Sequence, residues 1–195
     1  CIIIFMTAFE NLEILNLAKK LIFFKTTQDN PIVLREILLE VKSLLKDYTG
    51  EEFLHNDSPS MLFYNQKTRP EKFKIIFNAH LDVVPGADRQ FIPFEENGRL
   101  YGRGSYDMKT AATAMILAFR DVANTLSYPC ALQLVTDEEI GGFNGTNNQI
   151  DNGVRSELVV AGETTGFKIS NKAKGIIWAK IMSTGKTAHG AYPWL

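Results

Sequence analysis

The chain has 195 residues, 21 basic and 22 acidic, for a formal net charge of −1, and nothing in that balance points to a nucleic-acid backbone or an anionic membrane surface. Hydrophobic residues make up 45% and charged residues 22%, the proportions of a globular domain with a substantial core. The two cysteines, Cys1 and Cys130, are too few and too far apart for a disulfide framework, so a reducing, cytoplasmic setting is the expectation.

Cys1 to Phe5 is apolar but lacks a basic flank, and it falls well short of the roughly 20 residues of a membrane span. Met6 reads as a natural start, and the five residues before it as a fragment edge or a misassigned start. From Phe9 to Lys25, Leu12, Leu15 and Ile22 recur at helical spacing. Asn30-Pro31 opens a second helix, with Asn30 as N-cap and Pro31 at the first helical position. Its apolar stripe is Leu34, Ile37, Leu38, Val41, Leu44 and Leu45, and Gly50 is the expected stop. Phe53–His55 and Met61–Tyr64 read as short strands, with His55 a structural or surface residue.

Ile75, Ile76 and Phe77 form an apolar run of strand length that ends in His80-Leu81-Asp82. Residues i and i+2 of a strand share a face, so an imidazole and a carboxylate point the same way. The carboxylate can fix the ring's tautomer and leave the other nitrogen for a metal. Pro85-Gly86 then turns the chain, and Ala87 to Gly98 reads as loop. Gly102 and Gly104 allow tight turns, but Asp107 stands where a dinucleotide-binding loop needs its third glycine, which argues against that fold element. Asp107 lies just before or within the first turn of a helix running to about Ala123, where an N-cap role competes with a metal for the same oxygens, and Met115, Ile116, Leu117 and Phe119 would pack that helix on a sheet. The strand Cys130–Val135 runs into Thr136-Asp137-Glu138-Glu139; Gly141-Gly142 turns the chain, and a short helix begins at Asn144–Thr146. Leu158–Ala161 runs into Gly162-Glu163. Two further strands are expected at Phe167–Asn171 and Gly175–Ser183. The alternation predicts an α/β sandwich with a largely parallel central sheet. Ligands collect at the carboxyl ends of such strands, and the successive sites carrying His, Asp or Glu suggest one convergent metal centre.

Four motifs in order, His-Leu-Asp-Val-Val-Pro from His80, Gly-Arg-Gly-Ser-Tyr-Asp-Met-Lys from Gly102, Asp-Glu-Glu-Ile-Gly-Gly from Asp137 and Gly-Glu-Thr-Thr from Gly162, resemble the signatures of the M20 metallopeptidases. The resemblance implies a zinc-peptidase-like α/β/α catalytic domain over residues 6–173 and, over residues 174–195, the opening of a small α+β lid or dimerisation domain. It implies that His80 binds one metal, Asp107 bridges two, Glu139 binds the second and Glu163 completes the first. Asp82 would orient His80, Glu138 would be the general base, and His189 would reach across a homodimer to stabilise an oxyanion. The set suits two Zn²⁺ ions, roughly 3.5–4 Å apart, with Co²⁺ or Mn²⁺ as substitutes. The implied reaction is hydrolysis of an amide in a small acylated amino acid that ends in a carboxylate, of deacetylase or desuccinylase type. A dipeptidase or aminoacylase is the alternative within the family, and a non-catalytic metal-binding module the alternative outside it. The family draws its last metal-binding histidine from further along, and His55, His80 and His189 do not replace it. The chain is therefore expected to be the N-terminal part of a longer hydrolase, inactive alone, with a truncated product carrying a defective site as the alternative.

Overall fold

The computed structural model describes residues 8–172 and, beyond them, 175, 177, 179–182, 184–186, 188, 191, 192 and 194. In chain order the elements are α1 (Ala8–Phe23), α2 (Pro31–Leu44), β1 (Thr49–His55), β2 (Ser58–Tyr64), β3 (Phe73–His80), β4 (Phe94–Glu96), β5 (Arg99–Tyr101), α3 (Lys109–Val122), β6 (Cys130–Val135), α4 (Thr146–Asp151) and β7 (Ser156–Ala161). Five strands form one sheet in the order β1-β2-β6-β3-β7. β2 runs antiparallel to both β1 and β6, while β6, β3 and β7 are parallel. Four of the five strands therefore share one direction, as the alternating pattern predicted.

The two faces of the sheet are covered differently. On one, α1, α2 and α3 bury Leu21, Ile37, Val41, Ala112 and Ile116 against Phe63, Ala79 and Leu132. Each helix contributes one stripe at helical spacing, so the remaining positions stay solvated. On the other face lies a smaller apolar cluster containing Leu62, Phe73, Ile76 and Val154. Beside it runs a buried polar string: Asn78 Nδ2 donates to Gln133 Oε1 (2.8 Å), Gln133 Nε2 to Gln149 Oε1 (3.0 Å) and Gln149 Nε2 to Ser60 Oγ (3.0 Å). The string ties three strands to α4 and satisfies amides that the sheet would otherwise bury unpaired.

Several expectations are corrected. In α1 the buried stripe is Leu17, Ala18, Leu21 and Ile22, and Leu12 lies outside it, exposed. α2 closes at Leu45, whose N–H bonds Val41 O; Gly50 lies instead in β1, where the Phe63 ring comes to 3.1 Å of the place a Cβ would occupy. The stretch 87–98 holds a 3₁₀ turn (Asp88–Phe91) and the start of a β4–β5 hairpin. That hairpin closes through Asn97 and Gly98, both at positive φ (52° and 72°), the conformation an Asn-Gly pair favours. Met108, not Asp107, is the residue capping α3.

Contacts divide the chain into two units, Cys1–Thr164 and Thr165–Leu195. In the second, Phe167–Asn171 is not a strand: Gly166 and Phe167 take positive φ (62° and 60°), and Phe167 and Ile169 are fully exposed. A strand needs a ladder partner, and the described residues of Gly175–Ser183 are not in one either. His189 lies outside the described residues. Among the described residues no helix is long and apolar enough to cross a membrane.

Candidate metal centre

The sheet itself assembles the site. β3 and β6 are parallel with His80 opposite Val135, so the segments leaving both strands emerge along one edge. β7 flanks β3 on the other side with Ala161 opposite Asn78, and Gly162 N–H extends that ladder to Asn78 O (3.0 Å), carrying Glu163 to the same edge. The fourth group arrives from the loop before α3. There Met108 is fully buried, its sulfur accepting from His80 N–H (3.3 Å), and the preceding Asp107 turns back toward the ring.

His80 is the hub and is 1% exposed. Its Nδ1 lies 3.0 Å from the backbone carbonyl of Asp82 and 3.4 Å from that residue's Oδ1. A carbonyl oxygen only accepts, so Nδ1 carries a proton and Nε2 is the ligand atom of the neutral ring. Nε2 faces three carboxylates: Asp107 Oδ1 at 3.0 Å, Glu163 Oε1 at 3.8 Å and Glu138 Oε2 at 3.9 Å. One atom each from His80, Glu138 and Glu163 falls within 4.8 Å of the others, a separation that suits shared coordination of a single cation. Glu139 leaves the same turn in another direction and lines a cavity of about 290 Å³ with Asp107, Val84 and the loop from Gly102 to Tyr106.

Burial opposes protonation of His80, but the hydrogen bond and charge of Asp82 and the charges of Glu163 and Glu138 outweigh it and raise its pKa to about 9. Metal uptake has to displace that proton. Burial also pushes the carboxyls of Glu138, Glu139 and Glu163 up, the neighbouring acids adding to it and His80 opposing it.

Asp82 holds the arrangement from below and is wholly buried. Its carboxylate accepts the backbone N–H of Glu138 (3.2 Å) and of Glu139 (3.1 Å), so the turn presenting both glutamates is pinned to the residue beside His80. Gln28 adds a bond to Asp82 Oδ2 (3.1 Å) and another to Thr136 O (2.7 Å). Asp137, buried beneath the turn, accepts Asn144 N–H (2.7 Å) and shapes the loop that follows.

Thus His80, Asp107, Glu138 and Glu163 converge, Asp82 supports them, Glu139 stands at the adjoining cavity, and His189 cannot be placed. Gln28 and Lys109 were not singled out from the sequence. Lys109 is fully buried and donates to Leu21 O (2.9 Å) and Phe24 O (2.7 Å), which joins the end of α1 to the start of α3, two residues from Asp107. A lysine directly after Asp-Met at a helix start was its one visible signal.

The family model for peptidase family M20/M25/M40 matches residues 76–191. Among curated relatives, a probable carboxypeptidase of Emericella nidulans is 31% identical over 150 residues, 69% of this chain and 35% of that protein. A succinyl-diaminopimelate desuccinylase of Buchnera aphidicola subsp. Cinara cedri is 30% identical over 201 residues, 93% of this chain and 52% of that protein. The crystal structure of the M20 family metallo-carboxypeptidase Sso-CP2 from Sulfolobus solfataricus superposes with a TM-score of 0.64 at 19% identity, covering 77% of this chain and 37% of that one. The chain thus spans between about a third and a half of the length of these relatives.

Proposed function

The chain belongs to peptidase family M20/M25/M40, and from that premise we propose that it carries most of the metal-binding apparatus of a hydrolase cleaving the amide bond of a small acylated amino acid. The observation that carries this reading is the convergence of His80 Nε2 with Glu138 and Glu163 at the carboxyl ends of adjacent parallel strands, joined by Asp107 from the loop before α3. His80, Asp107 and Glu163 would hold one divalent cation, zinc fitting the mixed nitrogen and oxygen donors best, and Asp107 with Glu139 would hold a second. Cations there would supply Lewis acidity to a water and to the scissile carbonyl.

The remaining chemistry belongs to the chain. Glu138 is half exposed, faces the imidazole and has a raised pKa, as a group that takes a proton from water and returns it to the leaving amine requires. Asp82 keeps Glu138 and Glu139 on opposite duties by fixing the main chain between them. A desuccinylase-type substrate is favoured over a dipeptide by the 93% of this chain that aligns with the Buchnera desuccinylase.

Glu138→Gln tests the assignment. Zinc content near that of the unaltered chain, with hydrolysis by the full-length enzyme lowered at least about a hundredfold, is the expected result for a general base. Because Glu138 also stands within ligand distance of His80, loss of metal together with activity would make it a ligand instead, and the base would have to be sought elsewhere.

A further inference from the structure

Between α1 and α2 the chain passes beside Asp82, and it is bonded there more closely than a plain connection needs. Thr26 and Thr27 are buried. Thr26 Oγ1 donates to Leu81 O (2.6 Å) and Val83 N–H donates to Thr26 O (3.0 Å), so the loop brackets the residues on either side of Asp82. Just before it, Leu21 O and Phe24 O accept the Lys109 ammonium, at the start of the helix that follows Asp107. Two residues after Thr26, the Gln28 amide reaches Asp82 Oδ2 (3.1 Å) and Thr136 O (2.7 Å). Both of these oxygens only accept, so the amide nitrogen faces them and commits both of its hydrogens. One connection thus touches the segments that carry His80, Asp107 and the glutamate pair. Gln28 is the place where it ties two of them to each other, the exit of β3 through Asp82 and the exit of β6 through Thr136.

We propose that Gln28 is a positioning residue: by tying Asp82 to Thr136 it sets the separation of His80 and Glu138, and through it the affinity of the centre for a cation. The inference rests on the hydrolase reading given above and adds to it a residue that touches neither ion nor substrate. Asp82 receives the N–H groups of Glu138 and Glu139 at 3.2 and 3.1 Å, towards the long end of the range for such bonds. The shorter bond from Gln28 to Thr136 O fixes the main chain two residues before Glu138 and so shares the work of holding that turn. A neutral amide does this without cancelling the charge that Asp82 turns toward His80 Nδ1, which a cationic donor in the same place would oppose.

Zinc affinity, read by chelator competition on the whole chain, tests this. Gln28→Met keeps the length of the side chain and removes both donors, and should weaken zinc binding about tenfold, the lower end for losing a group that orients metal ligands. Gln28→Glu keeps the shape but sets an acceptor against two acceptors, and should weaken it at least as far. The decisive variant is the double one. Because Gln28 acts through the groups that Asp82 holds, adding Gln28→Met to Asp82→Asn should lower affinity by no more than about twofold further, where independent sites would multiply. Bound Co²⁺ gives a second reading, since Gln28→Met should shift its visible absorption bands while leaving the ligands the same. A full tenfold loss on top of Asp82→Asn would overturn the inference, as would zinc affinity retained in Gln28→Glu. So would a lower urea midpoint for Gln28→Met at unchanged zinc affinity, which would make Gln28 a folding residue. Each of these leaves the hydrolase reading standing. Failure of the unaltered chain to take up zinc would overturn both.

Discussion

Asp82 serves both halves of the centre with one carboxylate, and Asn is the substitution that separates its duties. Asp82→Asn preserves shape but replaces one acceptor oxygen with a donor, so it cannot receive both the Glu138 and Glu139 N–H groups, and it removes the charge beside His80. Zinc affinity should fall by about 10–100-fold, the usual effect of losing a partner that orients metal ligands. Chelator competition measures it, and unchanged affinity would reduce Asp82 to a folding role. A second prediction concerns Cys130, whose burial pushes its thiol up to about 11. The raised value means that at pH 8 only about one thiol in a thousand is ionised, against roughly one in four for an ordinary cysteine. Iodoacetamide should therefore leave Cys130 unmodified until the chain is unfolded, as peptide mass mapping would report.

Among the elements, those whose apolar runs end in an acidic or histidine residue were legible in the sequence. β3, β6 and β7 each announce themselves that way, and parallel pairing then brings their ends together without further instruction. Asp107 was legible as a site residue just before α3, and the capping role that was its alternative falls to Met108. The β4–β5 hairpin was missed although Asn97-Gly98 marks it. The strand expected at Phe167–Asn171 fails for a different reason: alternating Phe167 and Ile169 are compatible with a strand but cannot create a partner for it. Gln28 and Lys109 were beyond reach, since their roles depend on partners 54 and 85 or more positions away. Lys109 also shows what joins α1 to α3. Lys109→Met keeps the apolar stem but strips Leu21 O and Phe24 O of their donor, and should cost about 1–3 kcal/mol in urea unfolding. No measurable loss would mean that water replaces the ammonium at those carbonyls.

Across the molecule, the sheet belongs wholly to the unit Cys1–Thr164, and of its three strands paired on both sides, β2, β6 and β3, the two parallel ones lead into His80 and the Glu138–Glu139 turn. β6, buried along its whole length, is thus among the strands that feed the metal centre. Amide protons in the middle of such strands, Ile76 and Leu132 among them, trade with deuterium only when the whole unit opens. Zinc held at the sheet edge has to be released in that opening, so at a concentration about 100 times its Kd the slowest of these amides should exchange about a hundredfold more slowly. Exchange that slows only in the loops around Asp107 and Glu138 would show instead that the edge can loosen without the middle. If the slowing does reach Ile76 and Leu132, the grip on the ion becomes readable as a clock running inside the sheet, at amides that never touch it.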